Sequence, residues 1–292
     1  MELVYSEDSL ELTSAFKSYR NSVNIYTEDK EEDCQFYMRL LRRLLDGTGC
    51  IINDITPLGC CHSVEQASKN NPDPKGIYII DGDIYTIFSP KKSTSSLYVL
   101  DAYCMENKVI DYNSIINLAY FLYGKAEKQQ ISNILDLESL ISSIAKPLIH
   151  LFFLFALEQK YIGHFRIKHF DNYRGRTSTI DCNKINAEIE NIKSLLVPQY
   201  MNEIQFSDEF NSMSAKFPIE LKSLLKIVSG KDYLIPCIRF YISERLNHKF
   251  SIPQESWKFN MANYCDLEGL EDLKSFILQK HKEINANKTT LI

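Results

Sequence analysis

The 292-residue sequence lacks the short motifs of several common enzyme classes. It contains no His-Glu-x-x-His pair that could bind zinc, and no Gly-x-Ser-x-Gly turn that could present a nucleophilic serine. It also lacks the Gly-x-x-x-x-Gly-Lys-Ser/Thr loop that binds nucleotide phosphates. These absences argue against a zinc hydrolase and a serine hydrolase. They also indicate that the chain does not hydrolyse ATP itself.

Features of secreted and membrane proteins are missing as well. The eight cysteines form no Cys-x-x-Cys pair, and most lie in apolar runs, where small buried thiols are expected. The N-terminal segment has no positive region followed by a long apolar stretch, so we expect no secretory signal. The most apolar window, 148–157, is shorter than the about 20 residues that span a bilayer, and we expect a buried helix there. A cytoplasmic protein that binds no membrane is therefore predicted.

The composition is that of an ordinary globular protein, with 45% hydrophobic and 24% charged residues. A net charge of -5 argues against a surface that is positive all over, as in many nucleic-acid-binding proteins. The length permits two domains, since compact units usually hold about 100 to 200 residues.

The first part of the chain alternates between strand-like and helix-like patterns. Such alternation predicts an α/β domain, a parallel sheet with helices on both faces, and we assign it to residues 1–126. Ser63 is the predicted N-cap of the second helix. The predicted strands are 22–27, 49–55, 77–80 and 97–100, and the predicted helices are 31–45, 63–70 and 112–123.

Residues 127–292 have mainly helical periodicity, which predicts a mostly helical C-terminal domain. A short strand is also expected around 164–170. The predicted helices are 137–161, 183–196, 219–228, 233–246 and 267–283.

Acidic residues follow the predicted strands. Glu28 follows the first strand, Asp81 and Asp83 follow the third, and Glu106 lies beyond the fourth. Ligands of open parallel sheets bind at the carboxyl ends of the strands, so we expect these carboxylates to converge on Mg²⁺ or Mn²⁺. An extended backbone would point Asp81 and Asp83 the same way, and Gly82 would leave room for a phosphate-bearing ligand. The alternative is a simple turn, because Asp-Gly is a common turn dipeptide.

A family resemblance adds to this prediction. The order of strand and Glu28, a helix with Phe36-Tyr37, strand and Asp81-Gly82-Asp83, then Tyr103-x-x-Glu106-Asn107 resembles the Toprim fold. More narrowly, it is similar to the OLD-related Toprim nucleases that act beside an ABC-type ATPase in bacterial anti-phage defence, as in PARIS systems. The Gly230-Lys231-Asp232 stretch before an apolar helix is similar to the helical C-terminal part of that family.

The resemblance implies a metal-dependent nuclease that an ABC-type ATPase partner holds until infection. Once released, with a homodimer as one expected form, the effector would cleave host RNA, with tRNA as the favoured substrate. Glu28 would be a metal ligand or general base, Asp81 and Asp83 would hold the metal, and Glu106 would be a further acid at the edge of the site. Glu32 is the additional acid that we select from the neighbouring acidic run.

Toprim domains usually have glycine after the glutamate, where this chain has Asp29. Two alternatives to the ribonuclease remain open at this point. One is a DNA endonuclease of the OLD type. The other is a non-catalytic Toprim-like module that regulates or scaffolds the ATPase.

Basic residues supply candidates for substrate binding. Lys91 and Lys92, in the loop after Asp83, are expected to clamp the substrate. In the segment 166–176, cations alternate with aromatic rings, a pattern that suits an unpaired RNA loop. The alternative is a solvated polar surface. The cations of that segment are Arg166, Lys168, Arg174 and Arg176.

Overall fold

The computed structural model describes residues 22–70, 72–165, 167–175 and 179–289. These residues pack into two compact units that interleave along the sequence. The first unit comprises 22–80, 92–99 and 267–289, and the second comprises 81–91 and 100–266. The expected domain boundary after residue 126 falls inside the second unit. A division into folding domains at that residue stays a prediction.

A parallel β-sheet lies in the first unit, so the predicted α/β class is confirmed. Its four strands are β1 (Ser22–Thr27), β2 (Ile51–Pro57), β3 (Gly76–Ile80) and β4 (Leu97–Val99), and their spatial order is β2-β1-β3-β4. Every residue of β3 is buried, as expected for a parallel strand covered on both faces. Thr27 of β1 pairs with Pro57 of β2 and with Ile79 of β3.

The helices of the described residues are numbered in chain order. They are α1 (Cys34–Leu44), α2 (Cys61–Asn70), α3 (Tyr85–Phe88), α4 (Tyr112–Tyr123), α5 (Lys128–Ile134), α6 (Leu137–Ile162), α7 (Cys182–Leu196), α8 (Glu203–Lys216), α9 (Leu221–Ile227), α10 (Ile235–Arg245), α11 (Gln254–Tyr264) and α12 (Glu271–Thr289).

Apolar residues at helical spacing explain how α1 and α2 cover the sheet. α1 buries Phe36, Leu40 and Leu41 and packs against β2. α2 packs against β3, where Val64 joins a buried cluster with Tyr78. Ser63 is not the N-cap of α2, because the helix already begins at Cys61.

The second unit is built on α6. Asp136 caps its first turn by accepting a hydrogen bond from the Ser139 N–H at 3.0 Å, and the helix ends at Gly163, which has φ +85°. The predicted buried stretch 148–157 is confirmed, except that His150 is half-buried. α7 and α9 pack against α6.

One helical stretch within the described ranges, residues 128–162, which contains α5 and α6, is long and apolar enough to cross a bilayer, and 67% of its most apolar window is buried inside the protein. Such burial is that of a core helix in a soluble protein.

Three C-terminal helices, α5, α8 and α11, were not predicted. The strand expected around 164–170 is wrong for the residues described there, which are irregular up to His169 and begin a 3₁₀ turn at Phe170. The helices that were predicted are confirmed, with ends that differ by a few residues.

The carboxylate of Asp73 joins the turn before β3 to strand β1 by hydrogen bonds. Asp73 accepts hydrogen bonds from the Asn24 side-chain amide at 2.6 Å and from the Tyr26 hydroxyl at 3.0 Å. Burial alone would raise the pKa of Asp73, but the hydrogen bonds from Asn24, from the Lys75 N–H and from Tyr26 outweigh it and lower the pKa. Burial, together with the bond to Asp73, raises the pKa of Tyr26 to about 12.

We expect Asp73→Ala to lower the free energy of unfolding by about 1 to 3 kcal/mol, because it removes the shared acceptor of these donors. Since the folded pKa of Asp73 is lowered, its contribution is present above the usual aspartate pKa and is lost as the pH falls through the folded value. Urea unfolding at neutral and acidic pH measures both effects. Asp46→Ala, which removes an exposed carboxylate at the end of α1, is the control. An equal effect of both substitutions would contradict the assignment.

Candidate functional site

The strand order creates a topological switch point in the sheet. β1 lies between β2 and β3, so the chain leaves β1 towards one side of the sheet and leaves β3 towards the other. Ligands of open parallel sheets bind at such points, beyond the carboxyl ends of the strands. Glu28 is the first residue after β1, and Asp81 is the first residue after β3. Two of the predicted site residues therefore directly follow the two strands of the switch point.

Glu28 is half-buried in the first unit. Its charge acts on the thiol of Cys60, which lies beyond the end of the adjacent strand β2. The net effect on Cys60 is nevertheless a lowered pKa, because hydrogen bonds from Ser63 stabilise the thiolate. Glu28 is therefore within electrostatic range of groups at the carboxyl edge of the sheet.

The two acids next to Glu28 differ in environment. Asp29 is buried and accepts a hydrogen bond from the Tyr37 hydroxyl of α1. This bond gives Asp29 a structural role. Glu32 is exposed on the 3₁₀ turn Glu31–Asp33, and its place in a site stays a prediction.

The Asp81–Asp83 turn is held by the segment 102–105 of the second unit. The N–H groups of Gly82 and Asp83 donate to the carbonyls of Ala102 at 3.1 Å and Tyr103 at 2.9 Å. Asp81 is 7% exposed, and its Oδ1 accepts the Met105 N–H at 3.1 Å. Asp83 has φ +49°, so the expected extended backbone is wrong at this residue. The aspartates instead flank a bend, which leaves Asp83 more exposed than Asp81.

Position 82 must be glycine, because neighbouring atoms of the protein leave no space for a side chain. An added Cβ would lie 2.6 Å from the carbonyl oxygens of both Leu100 and Ala102, and 2.4 Å from a Thr86 methyl group. The expectation that Gly82 leaves room for a phosphate is therefore wrong, because backbone atoms of this chain fill that space.

Glu106 forms a buried ion pair that sequence reasoning missed. Its Oε1 lies 3.1 Å from Nζ of Lys258 on α11, and the two residues are 3% and 7% exposed. The partners are 152 positions apart, so no local pattern could have identified the pair. The adjacent Asn107 accepts the Cys104 and Gly230 N–H groups at 3.1 and 3.0 Å. It also donates to the Val228 carbonyl at 2.7 Å.

The predicted substrate-binding lysines and arginines are largely engaged with the protein. Lys91 lies 5.3 Å above the ring of Tyr85, and Lys92 is exposed. Lys168 pairs with Glu188. Arg174 lies 3.8 Å from Asp171 and also covers the ring of Phe240. Arg166 and Arg176 lie outside the described residues.

Oxygen donors at Glu28, Asp81 and Asp83 have the chemistry that Mg²⁺ or Mn²⁺ prefers. Across the described ranges, His, Cys, Asp and Glu side chains form no group of three or more arranged to hold a metal ion. Magnesium sites often use only one or two carboxylates, with water and substrate phosphate as the other ligands. A metal site that combines Glu28, Asp81 and Asp83 therefore stays a prediction.

No protein-family model matches the chain, and no curated protein matches its sequence significantly.

We expect Gly82→Ala to destabilise the protein by about 1 to 3 kcal/mol or more, because the new methyl group overlaps two carbonyl oxygens. Gly269→Ala is the matched control, since an added Cβ there meets nothing within 4 Å. Thermal and urea unfolding measure the difference. Equal stability of the two variants would show that the turn is not packed as described.

Lys258→Met should lower stability by about 3 to 5 kcal/mol, because it leaves the Glu106 carboxylate buried without its cation. The double variant Glu106→Gln with Lys258→Met should recover much of the loss, since neither charge remains. Chemical unfolding of the four proteins of this double-mutant cycle gives the coupling energy. Additive single effects would rule out the ion pair.

Proposed function

We propose that the protein is a Toprim-type, metal-dependent nuclease that cleaves phosphodiester bonds in the cytoplasm. The observation that carries the proposal is the switch point between β1 and β3, whose strands lead directly into Glu28 and into Asp81-Gly82-Asp83. In open parallel sheets this is the position where ligands bind. Carboxylates placed there suit hard divalent cations, which prefer oxygen ligands.

Each acid has a distinct part in the proposed reaction. A bound Mg²⁺ or Mn²⁺ would polarise the scissile phosphate and neutralise charge on the oxygens around it. Glu28, Asp81 and Asp83 would hold that ion. Glu28 would also accept the proton of the attacking water. Lys91 and Lys92 would bind phosphates of the substrate backbone through their positive charge.

We assign Glu106 a structural role, in positioning the Asp81–Asp83 turn, rather than a catalytic one. It is buried and paired with Lys258, and it directly follows the segment 102–105, whose backbone holds the Asp81–Asp83 turn. A carboxylate in that environment orients the turn, while the more exposed Asp83 is the acid best placed to meet a ligand from solvent.

The biological setting of the proposal rests on the family resemblance. An ABC-type ATPase would hold the protein inactive, and infection would release it, as a homodimer, to cleave host RNA with tRNA as the favoured substrate. The chain itself lacks an ATP-binding loop, which is consistent with a separate ATPase.

A non-catalytic module that regulates or scaffolds the ATPase is the second candidate. One observation favours it: Asp81 and Glu106 are already bonded to other groups of this protein. Carboxylates with such structural partners are explained without a metal.

We expect the purified full-length protein to cleave tRNA with Mg²⁺ and to lose this activity in EDTA. Glu28→Gln and Asp83→Asn should each lower the rate at least about 100-fold, because each removes a metal-binding or proton-accepting charge. Asp46→Asn, at an exposed position outside the site, should retain the wild-type rate. Gel electrophoresis of the products, with circular dichroism to verify folding, gives the measurement.

Parallel reactions with double-stranded DNA separate the alternatives. Cleavage of DNA but not RNA would replace the ribonuclease by a DNA endonuclease. If neither nucleic acid is cut, and if expression of the chain without its partner is harmless to the cell, the non-catalytic module is favoured. Activity that survives both EDTA and the Glu28 variant would contradict the metal site.

A further inference from the structure

A second site candidate lies in a half-open cleft of the second unit, with a cavity volume of about 430 Å³. Its walls combine cationic side chains with aromatic rings. Ligand pockets for small molecules typically measure about 300 to 1,000 Å³, so the cleft is large enough for one. The residues that matter for its chemistry are Arg174, Arg239, Lys249, Asp171, Phe240 and Phe250.

Positive charge exceeds negative charge in this cleft. Arg174, Arg239 and Lys249 line it together with one carboxylate, that of Asp171. Asp171 lies nearest to Arg174, at 3.8 Å. Arg239 and Lys249 form no ion pair with any residue that the structure describes. Two cations are therefore left to attract an anion from solution.

The aromatic rings hold the two arginines in place. The guanidinium carbon of Arg174 lies 4.8 Å from the ring centre of Phe240, and that of Arg239 lies 5.9 Å from the ring centre of Trp257. Arg239 also donates a long hydrogen bond of 3.4 Å to the Phe250 carbonyl. Because the guanidinium groups are already restrained, less conformational entropy is lost when they bind a ligand.

We propose that this cleft binds a nucleoside monophosphate unit, either as a free nucleotide or within a single-stranded RNA. Arg239 and Lys249 supply charge-assisted hydrogen bonds to the phosphate. The half-buried ring of Phe240, on the face that Arg174 does not cover, supplies the surface on which a base stacks. A site for a simple anion would not need aromatic rings in its wall. A pocket for an apolar ligand would not be lined by three cationic side chains. The inference does not rest on the proposed nuclease function, because binding here needs no divalent ion.

Calorimetric titration of the full-length protein in EDTA tests the proposal with two probes, AMP and inorganic phosphate. AMP should bind about tenfold tighter or more, since a stacked base adds to the contacts of the phosphate. Arg239→Gln should weaken AMP binding about tenfold, because a hydrogen bond to a charged group is lost. Equal affinity for AMP and phosphate would overturn the proposal.

Arg239 contacts the core residue Trp257, so a second variant avoids any effect of misfolding. Lys249→Gln changes an exposed residue and should weaken AMP binding about fivefold to tenfold. Lys222→Gln, at an exposed lysine of α9 that does not line the cleft, is the matched control and should bind AMP as the wild type does. If Lys249→Gln and Lys222→Gln bind AMP equally well, the site is refuted.

Competition identifies the source of the nucleotide. A short single-stranded RNA that displaces AMP, and that binds less tightly to Lys249→Gln, would support a pocket for RNA. AMP binding that RNA does not displace would support a pocket for a free nucleotide. Because all measurements are made in EDTA, failure of this proposal and failure of the nuclease proposal remain distinguishable.

Discussion

The segment 102–107 holds the Asp81–Asp83 turn by backbone hydrogen bonds, and the side chain of Asn107 bonds that segment to the rest of the unit. That one amide accepts two backbone N–H groups and donates to the carbonyl of Val228, which joins the segment to the turn around Gly230. An added Cβ on Gly230 would lie 2.8 Å from the Asn107 backbone nitrogen, so close backbone contact is part of the same arrangement. Buried, hydrogen-bonded polar groups thus help to set the geometry of the acids in this unit.

Buried charge constrains the same region. The charged groups of Glu106 and Lys258 are buried, and their mutual attraction must offset the large free-energy cost of removing both charges from water. Such a pair contributes little net stability, yet it strongly disfavours any packing that separates the two charges. It therefore selects one placement of α11 against the segment 102–107. Asp83, on the more exposed side of the turn, is left as the acid with access to solvent.

Prediction from sequence succeeded where a pattern was long or uninterrupted. β1, α4 and α6 were predicted almost to the residue, because strand-like runs and long apolar periodicities depend little on the rest of the fold. Of the missed helices, α8 buries only Phe206 and Met213. In α11 the buried face contains Lys258 between Trp257 and Met261, which interrupts its apolar pattern. Their helical state depends on packing against neighbours, which outweighs a weak local preference.

The sequence by itself determined the order of strands and helices, and with it which acids follow which strands, because these follow from local hydrophobic pattern and turn chemistry. Only the tertiary structure decided that Asp83 lies in a bend and that Glu106 faces Lys258. It also decided that carbonyl oxygens occupy the space where a side chain at position 82 would lie. The grouping of Arg239 and Lys249 with Phe240 was decided in the same way. The physical reason is that these contacts join residues far apart in the chain, and steric overlap and desolvation arise only once the backbone has brought them together.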